Sequence, residues 1–494
     1  MILYKRFSVG DHDFVYDTAS NAIVQLPDGA GRWMDELVAA TGAEPLPDRD
    51  PARAAAAAYV KRARVGSGLF ADRPARNYQG ILAEERVRAC LSRGMRGLLL
   101  ETTTRCNQRC SYCVYSGSYE GHRAHGSERM SWNVARKSID FFAAHAADTA
   151  PVYITFYGGE PLLAWDLVRR CVDYARGLHI PGLILLLNTN LTLLDEAKAA
   201  FLVENGVALA VSLDCPAIVH DAFRRFPSGR PTHARVTRWL AYLWENHRSY
   251  WDRSVVLQST LDRGFDVEAV FDYFCDEKWR GLSNTIGGIR DEGPHRCRVN
   301  REARLRHQAS LDRILARYAE AVTSGEPFPY PLLWSVFGTV FRDLPARQIG
   351  YPPPEAHPMR TCIPGVTRLY VDTQGVFYPC EKCEVAAARI GDIEHGIEVG
   401  KVRRLLERQV RFCESDCVQC WASRLCRLCL THFLEGGRIR WSAVRRKCRL
   451  ERERIHRSLE RFTRLYTEEP PSAWAHPFSL HRAVADARRK REES

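Results

Sequence analysis

Five short apolar runs punctuate the middle of the chain, at residues 97–101, 152–156, 183–188, 207–212 and 255–261. Each is followed by a stretch whose apolar positions recur at helical spacing, at about 131–147, 162–177, 194–204, 233–247 and 266–276. Runs that do not alternate with polar residues read as strands buried on both faces, and strands separated by helices build a parallel sheet. In such a sheet, groups that carry chemistry belong at the C-terminal ends of the strands.

The flanks read differently. Residues 3–25 alternate and turn like a short meander: Leu3–Phe7 and Phe14–Tyr16 flank Gly10-Asp11-His12, and a second turn at 17–21 precedes Ile23–Leu26. Helical stretches follow at about 28–41 and 51–64, then a linker (Gly66-Ser67-Gly68, Arg73-Pro74-Ala75) and a helical segment around 82–93. Beyond the sheet, a charged helix spans Arg301 to Val322, and the Pro-rich connections at 327–331 and 351–354 mark a boundary. From 449 the chain predicts a charged helix to about Tyr466 and then an irregular, Arg-rich tail. The divisions expected are 1–80, 95–325, 355–450 and 451–494.

Composition narrows the function. No apolar run reaches the length of a membrane span and the N-terminus does not begin a secretory segment, so a cytoplasmic protein with no membrane partner is expected. Seventeen cysteines are then hard to read as a disulfide framework, because reducing compartments keep thiols reduced. Metal or cluster ligation is the better account. The net charge of +12 permits an acidic partner, but ordered aromatic-basic motifs are absent and a nucleic-acid partner is not expected.

Cys106, Cys110 and Cys113 stand at the spacing Cys-x-x-x-Cys-x-x-Cys, directly after the first apolar run. Iron–sulfur clusters are normally held by four cysteines, so three thiolates leave one iron open. This triad resembles the signature of the radical S-adenosylmethionine (radical SAM) enzymes. The resemblance implies that the cofactor's amino and carboxylate groups chelate the open iron of a 4Fe-4S cluster. It implies further that reductive cleavage yields a 5'-deoxyadenosyl radical that abstracts hydrogen. A zinc knuckle is the competing reading, but it wants paired Cys-x-x-Cys motifs or mixed Cys/His ligands.

Motifs at the later strand ends carry the same resemblance, which covers about residues 95–290 as a partial, TIM-like (β/α)6 barrel with Leu282–Ile289 as its sixth strand. Gly158-Gly159-Glu160 resembles the family's GGE motif; its glycines admit close backbone approach to a ligand, and its polar groups are expected at the cofactor's amino group. Asn188, Asn190, Ser212 and Asp214 fall where family members contact the ribose and carboxylate. Arg224 is expected to pair with that carboxylate through a bidentate fork, and Tyr112 to lie against adenine.

Further on, Cys362, Cys380, Cys417, Cys420, Cys426, Cys429 and Cys448 resemble the seven-cysteine SPASM domain, with Gly375 five residues before Cys380. The resemblance implies two auxiliary 4Fe-4S clusters, hence three in all: one on Cys362, Cys380 and Cys429, the other on Cys417, Cys420, Cys426 and Cys448. Two residues rather than three separate Cys426 from Cys429, which leaves their assignment to different clusters open. The first set lacks an upstream fourth cysteine; Cys383 or Cys413 completes it, or one iron stays open for a substrate thiolate.

Together with a small N-terminal α+β unit similar to the winged-helix elements that hold leader peptides, these features resemble maturases of ribosomally made peptides. The stretch Cys113–Tyr119, Arg123-x-His125 and Met130-Ser131-Trp132 looks closest to those that install thioether crosslinks. A precursor peptide held by the N-terminal unit and an electron donor such as flavodoxin or ferredoxin are the partners implied. An anaerobic sulfatase-maturating enzyme shares barrel and SPASM domain but has an aspartate after a cluster cysteine; here Glu381 follows Cys380 as the candidate base. A non-catalytic zinc or cluster protein binding nucleic acid is the alternative from another class.

Overall fold

The computed structural model describes residues 2–39, 50–71, 77–149, 151–262, 265–289, 301–324, 326, 328–352, 355 and 362–468. Strands β1 (Tyr4–Val9), β2 (His12–Asp17) and β3 (Ala22–Gln25) form an antiparallel sheet in that order. Alternation divides its side chains between two cores. Val15 joins Leu26, Met34 and Val38 under the helices Met34–Ala39 and Pro51–Ser67, whereas Phe7, Val9, Phe14 and Tyr16 join the main core of the molecule.

The five apolar runs and the expected sixth segment all form strands: β4 (Gly97–Thr103), β5 (Val152–Gly158), β6 (Leu183–Thr189), β7 (Ala208–Ser212), β8 (Val255–Leu261) and β9 (Asn284–Gly288). They pair in sequence order, every pair parallel. All seven residues of β4 are buried, as a strand covered on both faces requires. Three of the intervening helices start at side-chain caps: the Ser131 hydroxyl accepts from Val134 N, Asp195 from Lys198 N, and Asp266 from Glu268 N and Ala269 N.

The sheet does not stop at β4. Strand β10 (Leu369–Val371) pairs with it in parallel and turns at 373–375 into β11 (Val376–Tyr378), followed by β12 (Gly391–Asp392) and β13 (Gly396–Ile397). Ten strands thus form one sheet, and the boundary expected between barrel and C-terminal region is crossed by its hydrogen bonds. An exposed β4 edge would present unpaired N–H and C=O groups, and the hairpin covers them.

The C-terminal helix begins at Trp441, before the residue expected, runs to Glu468 and buries Ile455, Leu459, Phe462 and Leu465. It lies against β1, and the Thr18 hydroxyl donates to Trp421 O (2.8 Å) while Arg424 Nη1 donates to Ala19 O (2.7 Å). The N-terminal sheet is therefore docked on the C-terminal region. Of the cysteines outside the motifs, Cys171 and Cys215 are buried, and Cys90 and Cys275 are half-buried. No helix among the described residues is long and apolar enough to cross a membrane.

Leu209 sits fully buried in β7 at the centre of the sheet. Replacing it with alanine is expected to cost about 2–5 kcal/mol, read as a lowered urea midpoint with an unchanged slope.

Candidate active site

The cysteine loop leaves the C-terminal end of β4 and is held by backbone on two sides. Gly159 N donates to Thr103 O and Glu160 N to Arg105 O, both at 2.8 Å, while Arg109 N donates to Arg225 O (2.8 Å) and Ser111 N to Phe223 O (3.0 Å). The glycine pair makes the first contact possible. Gly158 has φ 132°, and a Cβ on Gly159 would lie 2.0 Å from Arg105 O. The close approach expected toward a ligand is thus an approach to the cysteine loop itself.

Glu160 is buried and its carboxylate joins two strand ends. Oε1 accepts from the Thr189 hydroxyl (2.6 Å) and Leu162 N (3.1 Å), and Oε2 from Asn190 N (2.7 Å). Burial nonetheless pushes it up to about 7. Asn190 reaches back to the loop, donating to Asn107 Oδ1 (2.9 Å) and accepting from the Thr192 hydroxyl (2.7 Å). Asn188 donates to Gln258 Oε1 across the sheet (3.0 Å), and Ser212 ends β7 half-buried.

Asp214 and Arg224 form a buried pair. Arg224 Nε donates to Oδ2 (2.7 Å) and Nη2 to Oδ1 (3.2 Å), the Tyr112 hydroxyl donates to Oδ2 (2.5 Å), and Thr260 N donates to Oδ1 (2.6 Å). The fork expected to meet the cofactor's carboxylate is committed to Asp214, because a buried carboxylate without a partner would be too costly. Tyr112, expected against adenine, instead turns its hydroxyl to Asp214, with its ring 5.7 Å from that of Phe223. The Arg224 charge also offsets the burial of Cys110. Behind the pair, Asp214 N donates to His220 Nδ1 (3.2 Å), so the ring proton sits on Nε2, 3.0 Å from the Thr232 hydroxyl, which donates to Arg224 O (3.1 Å).

The later cysteines gather in two sets. Cys362, Cys380 and Cys429 all lie within electrostatic reach of Cys383, and Cys417 and Cys448 interact with each other, with Cys420 and with Cys426. Cys426 and Cys429 therefore fall in different sets. Cys413, a candidate ligand, packs with Tyr78, Ile81 and Val410 in a cluster that Cys417 also touches. Glu381 accepts from Arg368 Nη1 through Oε1 (2.8 Å), and its Oε2 is buried without a hydrogen-bond partner.

Between the two cysteine regions lies a charge cluster that the motifs did not announce. Arg123, over the ring of Tyr115 at 3.6 Å, pairs with Glu101 and, at 3.3 Å, with Glu384. Thr373 N approaches Glu101 Oε2 (3.4 Å) and the Tyr370 hydroxyl donates to Glu384 Oε2 (3.2 Å). Burial, then the Glu384 charge, holds Glu101 well above the usual carboxylate range against the pull of Arg123. Glu101, Arg123, Thr373 and Glu384 line a cavity of about 260 Å³. A carboxylate at the end of a wholly buried strand must be paired, and that was the available signal. Asn107 and Gln258 carried no comparable signal.

The donor set fits the group its spacing implies. Burial pushes Cys106 up to about 12 and Cys110 up to about 11, so thiolates persist there only beside a compensating cation. Gln108 is buried next to both, Oε1 3.4 Å from Cys110 Sγ, and its Nε2 has no partner, leaving a donor for a sulfur ligand. Among the described residues no three Cys, His, Asp or Glu side chains converge as ligands of one ion. Thiolates of a cluster bind separate irons and need gathering without such convergence.

Comparison with known proteins agrees. Residues 100–264 match the family model of the Radical SAM superfamily. The serine-type anaerobic sulfatase-maturating enzyme of Bacteroides thetaiotaomicron is 29% identical over 34% of this chain and 40% of its own length. The cysteine-type enzyme of Clostridium perfringens (strain 13) is 27% identical over 37% and 50%. The chain thus spans about half the length or less of these curated relatives. A structure described as native anSMEcpe with bound AdoMet and Cp18Cys peptide superposes with TM-score 0.53 at 18% identity, covering 78% of this chain and 99% of that one. These Radical SAM relatives are enzymes.

Two outcomes follow from the geometry. Gly159→Ala is expected to push the cysteine loop off β5 and lower reconstituted iron by about four per chain, with circular dichroism retained. Burial, with the nearby Arg224 charge, pushes His220 down to about 3, below its unfolded value of about 6.5. The stability it lends is complete above pH ~6.5 and falls by up to about 1.4 kcal/mol per pH unit below it. Urea unfolding between pH 7 and 5.5 is expected to show a shallower loss in His220→Gln than in the parent.

Proposed function

We propose that this protein is a radical SAM enzyme that modifies a ribosomally made precursor peptide, forming a thioether or another crosslink, with two auxiliary 4Fe-4S clusters in residues 362–448. One observation carries the reading: three gathered thiols at the end of β4 face a row of polar groups from the ends of β5, β6 and β7. Cys106, Cys110 and Cys113 would hold the first cluster, which with bound S-adenosylmethionine supplies hydrogen-atom abstraction from unactivated carbon. The sets Cys362/Cys380/Cys429 and Cys417/Cys420/Cys426/Cys448 would hold the others.

The chain's own residues prepare this site. Glu160 and Asn190 tie the ends of β5 and β6 to the cysteine loop, which fixes the loop without side-chain freedom. Arg224, Asp214 and Tyr112 keep a positive charge beside Cys110 in a water-poor wall. Arg368 orients Glu381 and leaves its second oxygen free to accept a substrate proton. The β1–β3 sheet is offered as the leader-peptide holder, by main-chain pairing at a strand edge, and a flavodoxin or ferredoxin as electron donor. The relatives' names favour a second reading, anaerobic sulfatase maturation, in which Glu381 takes the proton from the client's Cys or Ser.

Anoxic reconstitution with iron and sulfide is expected to load about twelve irons per chain and, with S-adenosylmethionine and a reductant, to release 5'-deoxyadenosine. Alanine at Cys106, Cys110 and Cys113 is expected to abolish that release. A Cys-containing peptide encoded beside the gene is expected to lose two hydrogens while gaining a crosslink. Stoichiometric zinc with no nucleoside release would overturn the proposal; formylglycine on a sulfatase-derived peptide would select the second reading.

A further inference from the structure

Two cysteines, Cys383 and Cys413, compete to complete the first auxiliary set, and the fold treats them differently. Cys413 closes the helix Val399–Phe412 and is wholly buried with Tyr78, Ile81 and Val410, against which Cys417 of the second set, and no cysteine of the first, also packs. Cys383 ends a single turn, Glu381–Cys383, in which its backbone N–H donates to Cys380 O (2.9 Å). That turn folds a Cys-x-x-Cys segment back on itself and brings Cys383 Sγ to 3.7 Å from Cys380 Sγ. It also packs against the turn Leu430–Phe433, which begins directly after Cys429.

The segment is braced at both ends. Before Cys383, Glu381 is held by Arg368 (2.8 Å); after it, Glu384 is held by Arg123 (3.3 Å) and the Tyr370 hydroxyl (3.2 Å). Ligand residues are placed reproducibly when neighbouring side chains lock the backbone that carries them. Glu414 and Asp416 beside Cys413 are held as well, by Gln79 (2.6 Å) and Arg445 (2.8 Å), so the 3.7 Å approach of Cys383 Sγ to Cys380 Sγ, and not bracing, separates the two cysteines. Cys-x-x-Cys pairs are moreover an ordinary way of presenting two thiolates to an iron–sulfur cluster.

We infer that Cys383 is the fourth protein ligand of the first auxiliary cluster, closing the set of Cys362, Cys380 and Cys429 from the downstream side. Four protein thiolates leave no iron of this cluster for a substrate thiolate. The cluster then exchanges electrons with the substrate without a bond to it, and a peptide cysteine must be positioned by the protein. The inference rests on the cluster-bearing reading proposed above.

The test uses the full chain with Cys106, Cys110 and Cys113 changed to alanine, so that only the auxiliary clusters form, reconstituted without oxygen, reduced with dithionite and mixed with 13C-cyanide. The expected result is about eight irons per chain and no 13C coupling in electron-nuclear double resonance. Adding Cys383→Ala is expected either to open an iron, so that the coupling appears, or to lose about four irons; Cys383→Ser guards against a packing defect, and Cys413→Ala is expected to change nothing. A coupling with Cys383 intact, a site opened by Cys413→Ala, or a Cys383→Ala protein with all its iron and no coupling would overturn the inference. Zinc in place of iron would instead overturn the functional reading beneath it.

Discussion

The molecule depends on a backbone-to-backbone contact. Where Gly158 and Gly159 leave β5, their main chain lies directly on that of the cysteine loop leaving β4, and two hydrogen bonds of 2.8 Å join them. A side chain at Gly159 would occupy the place of Arg105 O. Because the loop is anchored through main-chain atoms, three cysteines are held at a set position without using their own side chains. The second anchor, at Phe223 and Arg225, comes from the segment after β7, so the loop is strung between two parts of the sheet. Everything proposed for the site presupposes this placement.

Buried charge supplies the rest of the rigidity. Asp214 and Arg224 are each the other's compensation, and Tyr112, His220 and Thr232 complete a chain in which every buried donor finds an acceptor. Such a chain contributes less to net stability than its contacts suggest, since desolvation offsets most of the attraction. Its effect is to specify one arrangement, because any rearrangement would strand a charge in a low-dielectric wall. The trio Glu101, Arg123 and Glu384 does the same between β4 and the C-terminal cysteines, with two carboxylates around one guanidinium.

That trio explains how two regions about 270 residues apart act as one. The β10–β11 hairpin completes the sheet at the β4 edge, Glu101 projects from β4 toward the hairpin turn, and Glu384 follows the Cys380–Cys383 turn. The cysteine loop enters through Arg123 and Tyr115. Electron exchange between the cysteine centres and a substrate lying between them would be organised by this shared frame. The N-terminal sheet, docked through Thr18 and Ala19 on Trp421 and Arg424, rests on the same C-terminal region.

Much of this was legible in the order of residues. The six strands, their helices and the hairpin at Gly375 follow from local patterns of burial and turn chemistry, which depend on neighbours a few residues away; β9 falls within the stretch expected. The cysteine spacings likewise declare a chemistry, because ligand types and short spacings are local properties. What the chain alone left open concerns partners distant in sequence. Whether Arg224 meets a ligand or Asp214, whether Gly159 faces a cofactor or Arg105, and whether Cys383 or Cys413 joins Cys380 are questions of which groups share a volume. Cys383 and Cys413 are indistinguishable as residue types; packing put one beside Cys380 and the other beside Tyr78, Ile81 and Cys417. Sequence determined which elements form and which atoms are available, and tertiary structure decided which of those atoms meet, since only the folded chain balances each buried charge and donor against a partner far along it.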